Sequence, residues 1–217
     1  LATAAAGAMV SSTAVTASLA GKLRDPGNNA AVCNAGIALA SAVMFLRIMV
    51  LTGALAGFAL PTLAKLAGPG MIASLIATAL ILRSRHDGVQ LAQDDPTVAL
   101  RNPFDLGPAL ALMVLTMVLT VAAHWVLNRY GDAGLATVLA ISGVVDVDSA
   151  IITMGNLPPG TLAPHIAGLV LVPPFMLNTL FKTTTLLGIA GWQRGWQGAV
   201  AMLGSIAVAA AGLLLVL

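Results

Sequence analysis

Charged residues are scarce in this chain of 217 residues. Asp, Glu, Lys and Arg make up 8% of it and hydrophobic residues 59%, whereas soluble domains carry about 25% charged residues. Its apolar runs are about 20 residues long, which suits helices that span a membrane better than the roughly 10-residue strands of a membrane barrel. The composition therefore predicts an all-α integral membrane protein that lies in a lipid bilayer.

Missing motifs argue against several classes of function. Cys33 is the single cysteine, so no internal disulfide and no thiolate metal cluster can form. His86, His124 and His165 are not spaced like a zinc motif. There is no HExxH, no GxSxG and no phosphate-binding loop, so we expect no enzyme and no cofactor. No basic run with interleaved aromatic residues is present, and we expect no binding to nucleic acid.

Seven apolar segments are predicted to cross the membrane. They are residues 2–20, 30–56, 71–82, 108–127, 133–154, 162–188 and 199–217. The stretch 57–68 is predicted to be a bent extension or an interfacial helix. Pro173 and Pro174 predict a kink in the sixth segment. Residues 87–106 are the one long polar stretch, a linker between two halves, and 191–198 are predicted to be a short connection.

Two parts of the chain resemble each other. Residues 7–16, GAMVSSTAVT, align with residues 143–152, GVVDVDSAII, and residues 47–53, RIMVLTG, align with residues 182–188, KTTTLLG, at offsets of 136 and 135. These matches predict two parallel three-helix repeats joined by the fourth segment, a 3+1+3 arrangement. The predicted units are a first repeat at 1–86, a polar loop with a linker helix at 87–132, and a second repeat at 133–217. Transporters built from repeats place their sites at the repeat interface, near the middle of the membrane.

Asp146 and Asp148 lie inside the fifth apolar segment. A charge at the centre of a bilayer costs about 2.5 to 3.5 kcal/mol on insertion scales, so such residues indicate a function. Two residues apart on a regular helix, the carboxylates point about 200° away from each other. They converge only if the backbone is extended there, which Gly143 and Ser149 favour. The alternatives are one Asp that faces a partner and one that faces an interface, or an Asp paired with a cation for packing alone.

The candidate site combines polar residues from both repeats. The candidate ligands are Ser11, Ser12, Thr13, Asp146, Asp148, Ser149 and Asn178, and the candidate counter-ions are Arg47 and Lys182. A hard cation such as Mg²⁺ would use the oxygens of Asp146 and Asp148, although the two cations would offset these carboxylates. That balance suits proton coupling, or a substrate that displaces an internal ion pair. A substrate with a negative group of its own would use Arg47 and Lys182.

Several runs along the whole chain resemble one family. They are VSSTAVT, SAVMFLR, LRNPFDL, GDAGL followed by ISGVVDVDSAI, and NTLFK, and they are similar to the DUF4010 membrane domain. This resemblance implies a multi-pass protein of a bacterial or archaeal inner membrane. It also implies an MgtC/SapB domain upstream, which brings a link to magnesium. The chain begins at Leu1 rather than at a methionine, and we expect such an MgtC-like upstream part to be missing from it.

Two functions from different classes fit these residues. The first is a transporter of an ion, such as magnesium, or of a small solute. The second is a regulatory or assembly protein of the membrane, in which the polar residues only hold helices together by hydrogen bonds. Faces rich in small residues are compatible with a homodimer in either case.

Overall fold

The computed structural model describes residues 1–84, 106–144, 146–158 and 160–216. Every regular element in these ranges is an α-helix, which confirms the predicted all-α class. The helices are α1 (Ala2–Leu23), α2 (Ala30–Leu55), α3 (Leu60–Arg83), α4 (Leu106–Gly143), α5 (Val147–Gly155), α6 (Pro164–Val170), α7 (Val172–Ala190) and α8 (Trp192–Val216). The predicted polar linker lies outside the described residues as far as residue 105.

Four helical stretches among the described residues are long and apolar enough to cross a membrane. They are Ala30–Leu55, Leu60–Arg83, Pro164–Ala190 and Trp192–Leu214. The seven predicted spans and the 3+1+3 arrangement are not confirmed. Two of the predicted segments are interrupted, because α1 has a non-helical residue at Ser11 and the fifth segment is divided between α4 and α5.

The start predicted for the third segment, residue 71, is wrong. Helix α3 begins at Leu60 rather than at residue 71, so most of the stretch 57–68 belongs to it and is not a separate interfacial helix. Pro61 lies in the first turn of α3, where a missing N–H group removes no helical hydrogen bond. Pro69 lies within the same helix and does not end it.

Three other predicted boundaries also differ from the structure. The fourth and fifth segments meet within α4, which turns at Gly131, whose φ of 65° is readily adopted by glycine. The sixth segment is divided at Leu171 into α6 and α7, next to the proline pair that predicted a kink. The connection predicted at 191–198 is helical from Trp192 onward.

Helix α2 packs against α1, α3, α5 and α8, and α7 packs against α1, α4 and α8. The buried rings of Phe45 on α2 and Phe175 on α7 meet edge to face, with 5.6 Å between their centroids. This contact joins the two helices that carry Arg47 and Lys182. The hydrophobic core therefore holds both cationic side chains within one bundle.

Gly143 ends α4 in direct contact with α7. A Cβ atom at this position would lie 2.4 Å from the Cβ atom and 2.5 Å from the Cα atom of Pro174. The missing side chain thus allows the backbone of α4 to lie against α7, immediately before the chain becomes extended at Asp146.

We expect Gly143→Ala to lower the thermal unfolding midpoint of the purified protein. The added methyl group meets backbone atoms that cannot rotate away, and overpacking of this kind costs about 1 to 3 kcal/mol. Gly204→Ala is the matched control, because a Cβ atom at that exposed position of α8 meets nothing within 4 Å. Circular dichroism of the detergent-solubilised variants measures both midpoints. Equal midpoints would contradict the close contact.

Candidate functional site

Two helices are interrupted at residues with extended backbone. Ser11 in α1 has φ −155° and ψ 104°, and Asp146 before α5 has φ −145° and ψ 112°. At each of these breaks a side-chain oxygen caps the helix that follows. Ser11 Oγ accepts a hydrogen bond from the N–H of Ala14 at 3.2 Å, and Asp146 Oδ1 accepts one from the N–H of Asp148 at 3.3 Å. Helix caps of this kind satisfy N–H groups that have no partner within the helix.

The side chain of Asp146 caps the start of α5. Besides its contact with the N–H of Asp148, its Oδ2 accepts a hydrogen bond from Ser149 Oγ at 3.0 Å, and Ser149 is fully buried. The Asp146 side chain is 34% exposed, the most open of the charged groups at the site. Its position explains how two Asp residues in one apolar segment approach the same region.

Arg47 contacts both interrupted helices. Its Nε donates to Asp148 Oδ1 at 3.2 Å and its Nη2 pairs with Asp148 Oδ2. The same Nη2 lies 4.0 Å from Asp146 Oδ1. Its Nη1 donates to the carbonyl oxygen of Met9 at 3.0 Å, just before the break in α1. One guanidinium group therefore binds the acidic start of α5 and a carbonyl of α1.

Lys182 lies on α7 and is fully buried. Its Nζ donates to Ser12 Oγ at 2.8 Å, immediately after the break in α1, and to Met44 Sδ on α2. Within the described part of the chain, no carboxylate lies at ion-pair distance from this ammonium group. Its immediate partners are thus neutral.

Asn178 bonds to the backbone at the second break, the one before α5; the first break is the one at Ser11 in α1. Its Nδ2 donates to the carbonyl oxygen of Val144 at 3.0 Å, a group that the end of α4 leaves without a helical partner. Among the other predicted ligands, Ser11 acts as the cap described above, and Thr13 is half-buried in the first turn after the break in α1. The predicted residues thus have two roles. Some bond to backbone groups that the breaks leave without helical partners, and others carry charge between the two breaks.

The two cations lie at matching depths in their helices. Arg47 is eight residues before Leu55 at the end of α2, and Lys182 is eight residues before Ala190 at the end of α7. At 1.5 Å per residue, this is about 12 Å from each helix end. Both charges are therefore well inside the span of their helices.

The carboxylates are not arranged as a ready metal site. Asp148 is held by Arg47 and Asp146 caps α5, and among the described residues no group of three His, Cys, Asp or Glu side chains could hold a metal ion. A divalent cation at Asp148 would have to displace the guanidinium group.

Some contacts at the site could not be expected from the sequence. Met44, whose sulfur meets the Lys182 ammonium, is apolar, and the contacts at Met9 and Val144 use backbone carbonyls. Of these residues, only Met44 could have been proposed from the sequence, because it lies three residues before Arg47 and therefore on the same face of α2.

One family model and one curated protein match this chain over most of its length. The family model described as "Domain of unknown function (DUF4010)" matches residues 1–190, a range that includes every residue of the site. A protein of Aquifex aeolicus (strain VF5), described as an uncharacterized protein, is 26% identical over 182 residues, which are 83% of this chain and 78% of that protein. No solved structure matches. The predicted family is confirmed, and the predicted association with MgtC/SapB stays a prediction.

We expect Asp146→Ala to destabilise the protein by about 1 kcal/mol, because it removes the cap of α5. Asp146→Asn keeps an oxygen at the capping position and is expected to retain most of the stability. Thermal unfolding of both variants separates the capping role from the charge. Equal destabilisation by both substitutions would show that the negative charge, rather than the cap, matters there.

We expect the Arg47→Met and Asp148→Leu substitutions to be strongly coupled. Each alone removes the closest charged partner of the other residue, whereas the double variant removes both charges, so it should be more stable than the sum of the single effects by about 0.5 to 3 kcal/mol. A double-mutant cycle of unfolding free energies measures this coupling. Arg24→Met, at an exposed position, is the control for the loss of a positive charge. Additive effects would disprove the pairing.

Proposed function

We propose that this chain, which belongs to the DUF4010 family, is a membrane transporter of a small ion or solute. The binding site is the group of charges between the two helix breaks: Arg47 with Asp148, and Lys182 with Ser12. The observation that carries the proposal is the position of two interrupted helices around the fully buried Lys182 and the partly buried Arg47. Interrupted helices with charged groups between them are how several transporter folds bind their substrates.

The depth of the site supports a role within the membrane. Arg47 and Lys182 lie in two of the helices that are long and apolar enough to cross a bilayer. A position about 12 Å from the helix end is well inside a hydrocarbon layer that is about 30 Å thick. Charged side chains at such depth are unfavourable unless they are paired or line a pathway. We therefore place this group near the centre of a bacterial or archaeal inner membrane.

The spacing of the breaks supports the two-repeat arrangement. Ser11 and Asp146 are 135 residues apart, and so are Arg47 and Lys182. The pairing is also reciprocal, since the cation on α2 contacts the second break and the cation on α7 contacts the first. We propose that α1 to α3 form one repeat and that the end of α4 through α8 forms the other, with the preceding part of α4 as the linker. The site is then the interface between the repeats.

The ion pair suggests how transport proceeds. The bidentate contact between Arg47 and Asp148 connects the two repeats, while Arg47 also holds the Met9 carbonyl of α1. A substrate that competes for either partner weakens this connection and allows one repeat to move relative to the other. A divalent cation such as magnesium would have to use Asp148 in this way. The chemistry requires neither a cofactor nor a covalent reaction, and we propose no enzymatic activity.

A regulatory or assembly protein is the second candidate. It is favoured by polar contacts that join helices far from the charged site. Asn34 donates to the carbonyl of Arg194 at 2.8 Å and accepts from the N–H of Gly198 at 2.9 Å, and Arg194 Nη1 donates to the carbonyl of Leu23 at 2.8 Å. Such bonds contribute about 0.6 kcal/mol each in membranes. They stabilise a bundle without any transport.

We expect solute flux into proteoliposomes that depends on Asp148. The wild type and Asp148→Asn are compared for Mg²⁺, Mn²⁺, Ni²⁺, Co²⁺, K⁺, H⁺, chloride, lactate and an uncharged sugar. At least one solute should enter faster than into protein-free vesicles, and the substitution should abolish this flux because the neutral side chain no longer forms the ion pair with which the substrate exchanges. Thr184→Ala is the control, because this exposed residue of α7 bonds only to the carbonyl of Phe181 in its own helix.

The contrary result is a folded wild-type protein that moves none of these solutes. The regulatory candidate would then take precedence, and the same proteoliposomes would be used to capture a partner protein.

A further inference from the structure

We propose that the first break binds the negative group of the transported substrate, and that this substrate is a small carboxylate. The binding groups are the Lys182 ammonium and the Ser12 hydroxyl. This inference rests on the proposed function and names the substrate class of the same site.

The two breaks differ in charge. The second break has Asp146 and Asp148, whereas α1 contains no acidic residue. The cation that reaches the second break, Arg47, is met there by the carboxylate of Asp148. The cation that reaches the first break, Lys182, meets only Ser12 Oγ and Met44 Sδ among the described residues. Among the described residues, Arg47 thus has a carboxylate of the protein in direct contact, and Lys182 does not.

An ammonium group with neutral partners is unfavourable in a buried position. Lys182 is fully buried and Ser12 is 8% exposed, and a buried charge is stabilised chiefly by an opposite charge with hydrogen bonds. Asp146 is not available for this purpose, because it caps α5 and bonds to Ser149. A substrate anion would provide the missing negative charge.

The helix after the break favours an anion at the same place. The segment of α1 that follows Ser11 begins at Ser12, the residue that Lys182 contacts. The N-terminal end of a helix carries a partial positive charge that stabilises anions. Unlike the start of α5, this start has no acidic side chain beside it. The fully buried lysine and the start of a helix therefore act in the same direction.

The donors fit a carboxylate in particular. The hydroxyl of Ser12 accepts a hydrogen bond from Lys182, so its own proton is available to a second acceptor. An ammonium N–H and a hydroxyl O–H side by side can each bind one oxygen of a carboxylate. The Arg47 side chain, which already binds one carboxylate, contacts Met9 on the same break. Because Lys182 is fully buried and Ser12 nearly so, the proposal is limited to a small carboxylate.

The test is binding of radiolabelled lactate to purified protein in lipid nanodiscs. Wild-type protein should bind lactate, and unlabelled acetate should displace it. Lactamide has nearly the same shape without the charge and should not displace it. If chloride displaces the label as well as acetate does, the site selects any small anion and the assignment to carboxylates is wrong. If lactate does not bind above the level of lactamide, the inference is rejected.

Two substitutions locate the site. Lys182→Met keeps the volume and removes the charge, and it should weaken lactate binding at least tenfold, which is about 1.4 kcal/mol. Ser12→Asp places a carboxylate beside the ammonium group, so it should abolish binding while it maintains or raises the unfolding midpoint. Thr184→Ala should bind like the wild type. If Lys182→Met does not fold, Ser12→Asp decides alone, and unchanged binding in it would overturn the inference.

The outcome separates this inference from the proposed function. Flux of a cation that depends on Asp148, without lactate binding, keeps the transporter and rejects the carboxylate. Lactate binding that depends on Lys182, without flux of any solute, supports the site and rejects transport.

Discussion

A guanidinium group donates hydrogen bonds in several fixed directions, and Arg47 uses three of them to reach both interrupted helices. It binds the Asp148 carboxylate at two points and the Met9 carbonyl at a third. Lysine could not replace it, because a single ammonium nitrogen cannot bind a carboxylate in this planar, bidentate way. The relative position of α1 and α5 depends on this contact.

A broken helix inside a membrane must supply partners for the backbone groups that it frees. The present bundle does so with side chains of four kinds. Ser11 and Asp146 satisfy N–H groups, while Asn178 and Arg47 satisfy carbonyls. Irregular backbone at membrane depth is tolerated only where such partners or water exist. Polar residues in an apolar chain thus serve two purposes here: they satisfy the freed backbone groups, and Arg47, Asp148 and Lys182 carry the charges of the proposed site.

The sequence predicts the helical class and most of the residues at the site, because long apolar runs and isolated charges are local signals. The boundaries of α3 could not be predicted, since Pro61 and Pro69 indicate an interruption that the helix avoids. The break at Ser11 was missed because runs of Ser and Thr also indicate close helix packing. The sequence could not show which of these residues contact each other, because Asp148 is 101 positions from Arg47 and Ser12 is 170 positions from Lys182 along the chain. Both contacts form only in the tertiary fold.

The halves on each side of the second break have nearly equal length. The helical stretch Gly134–Gly143 has ten residues and α5 has nine, about 15 and 14 Å at 1.5 Å per residue. In the proposed transporter, with these two halves lying across the bilayer, the Arg47–Asp148 pair is at about half of the electrical distance across the membrane. A single charge that reaches it from one side crosses about half of the membrane potential, or about 1.2 kcal/mol per 100 mV. Charge movement in this fold would be divided into two nearly equal steps.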